Sequence, residues 1–347
     1  MQNNSSKVQT DSENSLSKII FINIMILVIL ILIILAAIEG YLKSTIPATT
    51  GGSIFEYTLD TKRYKLMKKD SHIFAWGKEL RTNKLGFRDN QAKVPAKRTD
   101  EFRIVVLGDS FTVSAGVDFD SIYTTVLEKN LQQHYKNVEV MNLATAGYNI
   151  VQYEMVLNEV ALKLDPDLII VSLFPSNDFS MDTYDHNYQV ASGQIKIQER
   201  PWYKKFYVYR AFLWRIVAKV DGLINPKEKK VADSENERKR GWDENLSALA
   251  RIIETARDKD LPLIISLLPD TWSYKSQHKS INRIKAFLAK YNSEPVVLLY
   301  PFIESGVKEK DLRVNLLDSH PNVQYNALVA KYLAPYVIKK IPEKNHH

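Results

Sequence analysis

At 347 residues, 45% apolar and 25% charged, the chain is long enough for one large domain with appendages, and its core needs no covalent staple. It contains no cysteine, which excludes thiol catalysis, disulfide frameworks, cysteine-ligated zinc and a lipidated N-terminal cysteine, and leaves the redox compartment open. The net charge of +7 is modest and uneven: twelve Lys/Arg against five Asp/Glu lie between Arg200 and Arg240, so the basic excess belongs to one segment and does not argue for a nucleic-acid partner.

Residues 1–18 are polar, rich in Ser, Asn and Gln, and are expected to form a disordered cytoplasmic tail. From Ile19 to Ile38 the chain is apolar apart from Asn23. At a helical rise of about 1.5 Å per residue this run covers about 30 Å, the hydrocarbon thickness of a bilayer. The exit Ala36-Ala37-Ile38-Glu39 is a poor signal-peptidase site, so 19–38 reads as a retained transmembrane anchor. Lys7 and Lys18 before the span and Lys43 after it bias the N-terminus inwards. The expectation is a single-pass cell-membrane protein with its main domain outside the cytoplasm.

Residues 39–100 read as a linker and lead-in, ending in the polar, turn-like Arg81-Thr82-Asn83-Lys84-Leu85-Gly86-Phe87-Arg88-Asp89, with Gly86 at the bend. The pattern then changes. Strands are expected at 102–107, 138–143, 168–174, 261–268 and 295–300. Helices are expected at 117–132, 151–164, 242–259, 280–291 and 323–340. Short apolar strands alternating with helices indicate βαβ units and a parallel sheet covered on both faces, a doubly wound α/β domain over 101–345. It is interrupted at about 180–240 by the basic stretch, where Trp202, Tyr203, Phe206, Tyr207, Tyr209, Phe212 and Trp214 interleave the cations. That insertion is either a solvated excursion or a surface for anionic lipid headgroups or an acidic glycan.

In open parallel sheets, ligands bind outside the carboxyl ends of the strands. The first expected strand ends in Gly108-Asp109-Ser110, placing Ser110 at a helix start, where it is a nucleophile or a helix cap. After the second strand, Asn142-Leu143-Ala144-Thr145-Ala146-Gly147 presents a glycine whose N–H can approach a substrate oxygen, or which simply makes a turn. The third ends in Pro175-Ser176-Asn177-Asp178, and Asn177 offers an amide donor or a turn cap. Leu317-Asp318-Ser319-His320-Pro321-Asn322 precedes the last helix, and His320 there is a candidate general base. A match to S-x-x-K at Ser276–Lys279 has no partner motifs and carries no role.

In that order these four blocks resemble the SGNH (GDSL) hydrolase family, and the lead-in at 81–89 looks like that of its membrane-anchored members. The Gly-x-Ser-x-Gly elbow of α/β-hydrolases is not present around Ser110. The resemblance implies a flavodoxin-like doubly wound sheet of the SGNH type. It also implies a catalytic pair Ser110 and His320, and an oxyanion hole from the N–H groups of Ser110 and Gly147 and the amide of Asn177, with no cofactor and no metal. Where the family places its aspartate, three residues before the histidine, this chain has Leu317. Asp318 is therefore the expected orienting acid, with Asp178, Asp311 or a backbone carbonyl as alternatives, and with helix capping as the competing role for Asp318. The expected activity is ester hydrolysis, on O-acyl (acetyl) groups of an extracytoplasmic glycan. An O-acyltransferase using the same Ser–His site, a lipid-directed esterase and a non-catalytic anchored scaffold are the alternatives.

Overall fold

The computed structural model describes residues 2–46, 54–57, 65–75, 77–89, 96–179, 188–191, 194–197, 202–213, 228–315 and 318–342. They form two compact units, 1–47 with 200–224 and 48–199 with 225–347.

In the first unit, helix α1 (Gln2–Thr45) contains a stretch, Lys18–Thr45, that is long and apolar enough to cross a membrane. The helix starts well before the expected span and takes in the polar segment for which disorder was expected. Once a helix is nucleated by a long apolar run, adding a residue at its end costs little. The same unit holds the short turns Trp202–Lys205 and Tyr209–Leu213.

The second unit is built on a five-stranded sheet: β1 (Phe102–Gly108), β2 (Val138–Asn142), β3 (Leu168–Leu173), β4 (Leu263–Leu267) and β5 (Val296–Val297). The spatial order is β5-β4-β3-β1-β2, with every pair parallel. β1, β2 and β3 are buried along their whole length, as their Val- and Ile-rich runs require when helices cover both faces. The helices are α2 (Ser110–Val113), α3 (Tyr123–Leu131), α4 (Ile150–Glu159), α5 (Glu228–Asp258), α6 (Tyr274–Leu288), α7 (Leu299–Glu304) and α8 (Val323–Ile338). They include two packed pairs, α3 with α8 and α4 with α5. The chain moves from β1 outwards to β2, then returns past β1 to β3, β4 and β5. The topological switch point therefore lies between β1 and β3, and the crevice beyond their carboxyl ends is where this fold takes ligands.

Several elements differ from the sequence expectation, among them the helix expected over 117–132, which spans only Tyr123–Leu131, and the one expected over 280–291, which starts at Tyr274. The fifth strand, expected over 295–300, is reduced to two residues paired with Ser266 and Leu267. Leu298 before the adjoining helix and Leu299 and Phe302 within it are buried instead, because an edge segment with one neighbour gains more by packing a helix than by extending an unpaired ladder. α5 begins fourteen residues before the expected Trp242, inside the basic stretch. The lead-in contains two antiparallel hairpins, Phe55–Tyr57 with Lys65–Met67 and His72–Ala75 with Lys78–Arg81. Ile54, Met67 and Leu80 from this region pack with Val113, Ala115 and Ala144 in a satellite core.

Candidate active site

β1 turns into α2 at Gly108, where a β-carbon would collide with the Thr112 side chain, so glycine alone permits this close return of helix over strand. Asp109 caps α2, its Oδ1 accepting from the Phe111 N–H at 2.8 Å. Ser110 is the first residue of α2 and is half-buried. The helix spans only four residues, so anion stabilisation at its start falls to individual N–H groups and not to a long helix dipole.

The second oxygen of Asp109 gathers the site. Asp109 Oδ2 accepts from Asn177 Nδ2 at 3.2 Å and from Ser110 Oγ at 3.4 Å. Two residues 67 positions apart thus meet on one buried carboxylate at the switch point. Burial pushes the Asp109 carboxyl up from its ordinary range, against the opposing effect of hydrogen bonds from Phe111, Asn177 and Ser110 and of the charge on His320. In the sequence Asp109 is marked only by its place inside the Gly-Asp-Ser block at the end of β1. Its neighbour Asp178 is also fully buried, with Oδ2 accepting from the Phe174 N–H at 2.7 Å. Burial and the charge of Asp109 raise its carboxyl well above the usual range.

Gly147 lies at the exposed top of the loop after β2, in the left-handed region with φ of +84°, which favours glycine. Two hydrogen bonds hold the start of that loop against β1: the Leu143 N–H donates to the Val106 carbonyl at 2.9 Å, and the Thr145 N–H donates to the Gly108 carbonyl at 3.1 Å. Asn149 then starts α4 with a capping box to Gln152.

His320 was expected in a loop. It stands instead in a short strand, β7 (Asp318–Pro321), paired antiparallel with β6 (Arg313–Asn315). Thr271 beyond β4 pins this hairpin, its Oγ1 donating to the Ser319 carbonyl at 2.5 Å while its own carbonyl accepts from Arg313 Nε at 2.8 Å. Buried Asp318 holds His320 twice: Oδ1 accepts from the backbone N–H at 3.0 Å and lies 2.6 Å from Nδ1. That contact assigns the ring proton to Nδ1 and leaves Nε2 as an acceptor. The cap of α8 is Asn322, whose Oδ1 accepts from the Tyr325 N–H at 3.0 Å, so the capping role weighed for Asp318 is filled by another residue. Asp178 and Asp311 make no hydrogen bond to His320, and Leu317 lies outside the described residues. Burial lowers the imidazole, but the hydrogen bond and charge of Asp318, with Asp109 behind, outweigh it and bring the His320 pKa above its ordinary value.

His320 adjoins the turn that carries Ser110 through an aromatic contact. Its ring lies 5.9 Å from that of Phe111, the residue after Ser110, and Phe111 stacks on Phe174 at 3.7 Å. Ser110 and His320 share no hydrogen bond in this structure, the serine hydroxyl being turned to Asp109. Among the described residues, no cluster of His, Asp and Glu is placed to hold a metal.

The lead-in motif supports the site from beneath. Arg88 is fully buried and donates to the carbonyls of Val113 (2.9 Å), Ser114 (2.5 Å) and Val117 (2.6 Å), closing the end of α2. Asp89 Oδ2 accepts from the Asn142 N–H at 2.9 Å, at the root of the Gly147 loop. Asn83 Oδ1 organises the turn itself, accepting from the N–H groups of Leu85 and Phe87. Burial lowers the Arg88 guanidinium to about 10, with Asp118 opposing the shift, so it remains charged at neutral pH. Singling out this segment by its turn pattern found the right residues without revealing what they hold.

The family model for GDSL-like lipases and acylhydrolases matches residues 106–328. Among solved structures, TesA is similar at 15% identity and a TM-score of 0.42, covering 69% of this chain and 99% of that one. A GDSL-like lipase from Bacteroides thetaiotaomicron VPI-5482 is similar at 12% identity and a TM-score of 0.42, covering 71% and 93%. A catalytic mutant of an acetylxylan esterase from Geobacillus stearothermophilus is similar at 13% identity and a TM-score of 0.42, covering 70% and 96%. No curated protein matches the chain.

Proposed function

Because the chain belongs to the GDSL-like lipase/acylhydrolase family and is thus an esterase or acylhydrolase, we propose that Ser110 is its nucleophile and His320 its general base, acting on O-acyl groups of an extracytoplasmic glycan. The observation that carries the assignment is the 2.6 Å contact of Asp318 with His320 Nδ1, on a ring set against the residue that follows Ser110. In the reaction, a rotation of the serine side chain takes Oγ from Asp109 to Nε2 of His320, which accepts its proton as Oγ attacks the ester carbonyl. Asn177 Nδ2 carries two protons. Asp109 accepts from the amide and orients it as a donor towards the tetrahedral oxyanion. The N–H groups of Ser110 and Gly147 complete the hole, each donor contributing about 2–4 kcal/mol in the transition state. His320 then protonates the leaving alkoxide, and a water activated by the same nitrogen releases the acyl group.

The outward-facing domain follows from reading α1 as a retained anchor with its N-terminus inside, and the glycan substrate from the resemblance to membrane-anchored SGNH hydrolases. A fluorophosphonate should label Ser110 and fail to label Ser110→Ala. With acetylated sugars offered beside longer acyl esters, acetyl turnover should dominate. Labelling elsewhere would displace the nucleophile, and a preference for long chains would assign a lipid substrate.

A further inference from the structure

The first unit has an apolar groove of about 530 Å³ between the end of α1 and the 202–213 turns. It is lined by Leu35 and Ala36 on one side, by Phe206, Val208 and Leu213 on the other, and by Lys43 at one end. Its volume is that of a small-molecule site. We propose that this groove binds a membrane phospholipid with an acidic headgroup, and that the 202–213 segment lies in the headgroup layer as a second membrane contact. The proposal rests on the reading of α1 as a membrane span.

Three observations identify the occupant. The groove is continuous with the span: the helix stretch runs Lys18–Thr45, about 40 Å at helical rise and longer than the hydrocarbon core, so its last turns lie at headgroup depth. Leu35 and Ala36 belong to the apolar run, and Glu39 and Lys43 are its first charges. Glu39 is held there by the Val208 N–H at 2.9 Å and by Lys43 at 3.3 Å. A carboxylate at that depth is costly unless so compensated, and the compensation ties the turns to the helix at the boundary. The turns expose Trp202 (70%) and Phe212 (51%) beside Lys204 and Lys205, and Phe206 in the groove wall is itself 42% exposed. Large aromatic rings next to cations are the composition that settles at a bilayer interface. Acidic headgroups complement the lysines, and an acyl chain suits the Leu35, Ala36, Val208 and Leu213 walls.

The chain has no cysteine, so single cysteines report cleanly. In the full-length protein reconstituted in nanodiscs, spin labels on Phe212→Cys, Ile26→Cys and Ser247→Cys would measure depth. Photoactivatable phosphatidylglycerol and phosphatidylcholine would measure lipid contact. The expectation is a label at headgroup depth for position 212, in hydrocarbon for 26 and in water for 247, with phosphatidylglycerol cross-linking to Leu35–Lys43 and 202–213. Replacing Lys204 and Lys205 by Gln should weaken that cross-linking by about fivefold for each lysine, and Leu213→Trp should block it while leaving the depth of position 212 unchanged. Position 212 in water with position 26 in hydrocarbon would overturn the proposal and leave the anchor intact. Position 26 in water would remove the anchor and the proposal together. Equal cross-linking by both lipids would overturn the headgroup assignment.

Discussion

At the scale of single residues, the working parts are the two carboxylates that hold the proposed base and the proposed nucleophile. Asp318 raises the His320 pKa and fixes its tautomer. A general base works only when neutral, so kcat/KM should fall as pH drops through that raised pKa. Asp318→Asn removes the charge that raises it, so the acidic limb of the profile should move to lower pH. The plateau rate should also drop on the order of 10³–10⁴-fold, because an amide favours the wrong ring tautomer. A profile whose acidic limb stays in place would detach Asp318 from the base. Asn177→Ala should lower kcat on the order of 10²-fold with little change in KM, since its amide bonds most strongly to the oxyanion of the transition state. A change confined to KM would make Asn177 a ground-state contact. Ser110 and Asn177 stand out as candidates because each follows an apolar run that must be a strand, and His320 because it sits between an aspartate and a proline before the last helix. Asp109 does not, because its part depends on Asn177, 68 positions later, arriving at the same oxygen.

At the scale of elements, the lead-in decides whether α2 and the Gly147 loop hold their geometry. Arg88 is the donor for three carbonyls, those of Val113, Ser114 and Val117. Arg88→Ala leaves them buried without that donor and opens a cavity, so unfolding free energy measured by urea titration should fall by about 3 kcal/mol or more. Arg88→Lys keeps the charge but lacks the planar fork, and it should recover only part of the loss. Equal stability of both variants and the parent would show that solvent satisfies those carbonyls. The hairpin β6–β7 shows the limit of pattern reading. Arg-Val-Asn and Asp-Ser-His-Pro carry no alternating apolar signal, and their pairing is set by the Thr271 contacts with Ser319 and Arg313.

At the scale of the whole molecule, α1 exposes Ile19–Ile34 along its length with none of the most apolar window buried in the chain. Burying such a surface against lipid is worth about 25 cal/mol per Å². Under the anchor reading, the full-length protein should sediment with membranes and resist alkaline carbonate, and the 48–347 portion should be cleaved by protease only from the outer side. A mature form released into solution and beginning after Ala37 would identify the run as a signal sequence. The 20-residue run at 19–38, apolar apart from Asn23, the parallel strands expected from 102, 138, 168 and 261, and the order of the four motif blocks were legible in the sequence alone, because a segment buried on both faces leaves no choice but a continuous apolar run. Only the tertiary structure decided that the strand expected over 295–300 stops at Val297 and gives way to a helix at Leu299, that Asp109 joins Ser110 to Asn177, that Arg88 closes α2, and that Asn322 and not Asp318 caps α8. Each of these is a contact between segments distant in the chain or a choice between local partners of nearly equal energy, and such choices are settled by packing, which no single stretch of sequence contains.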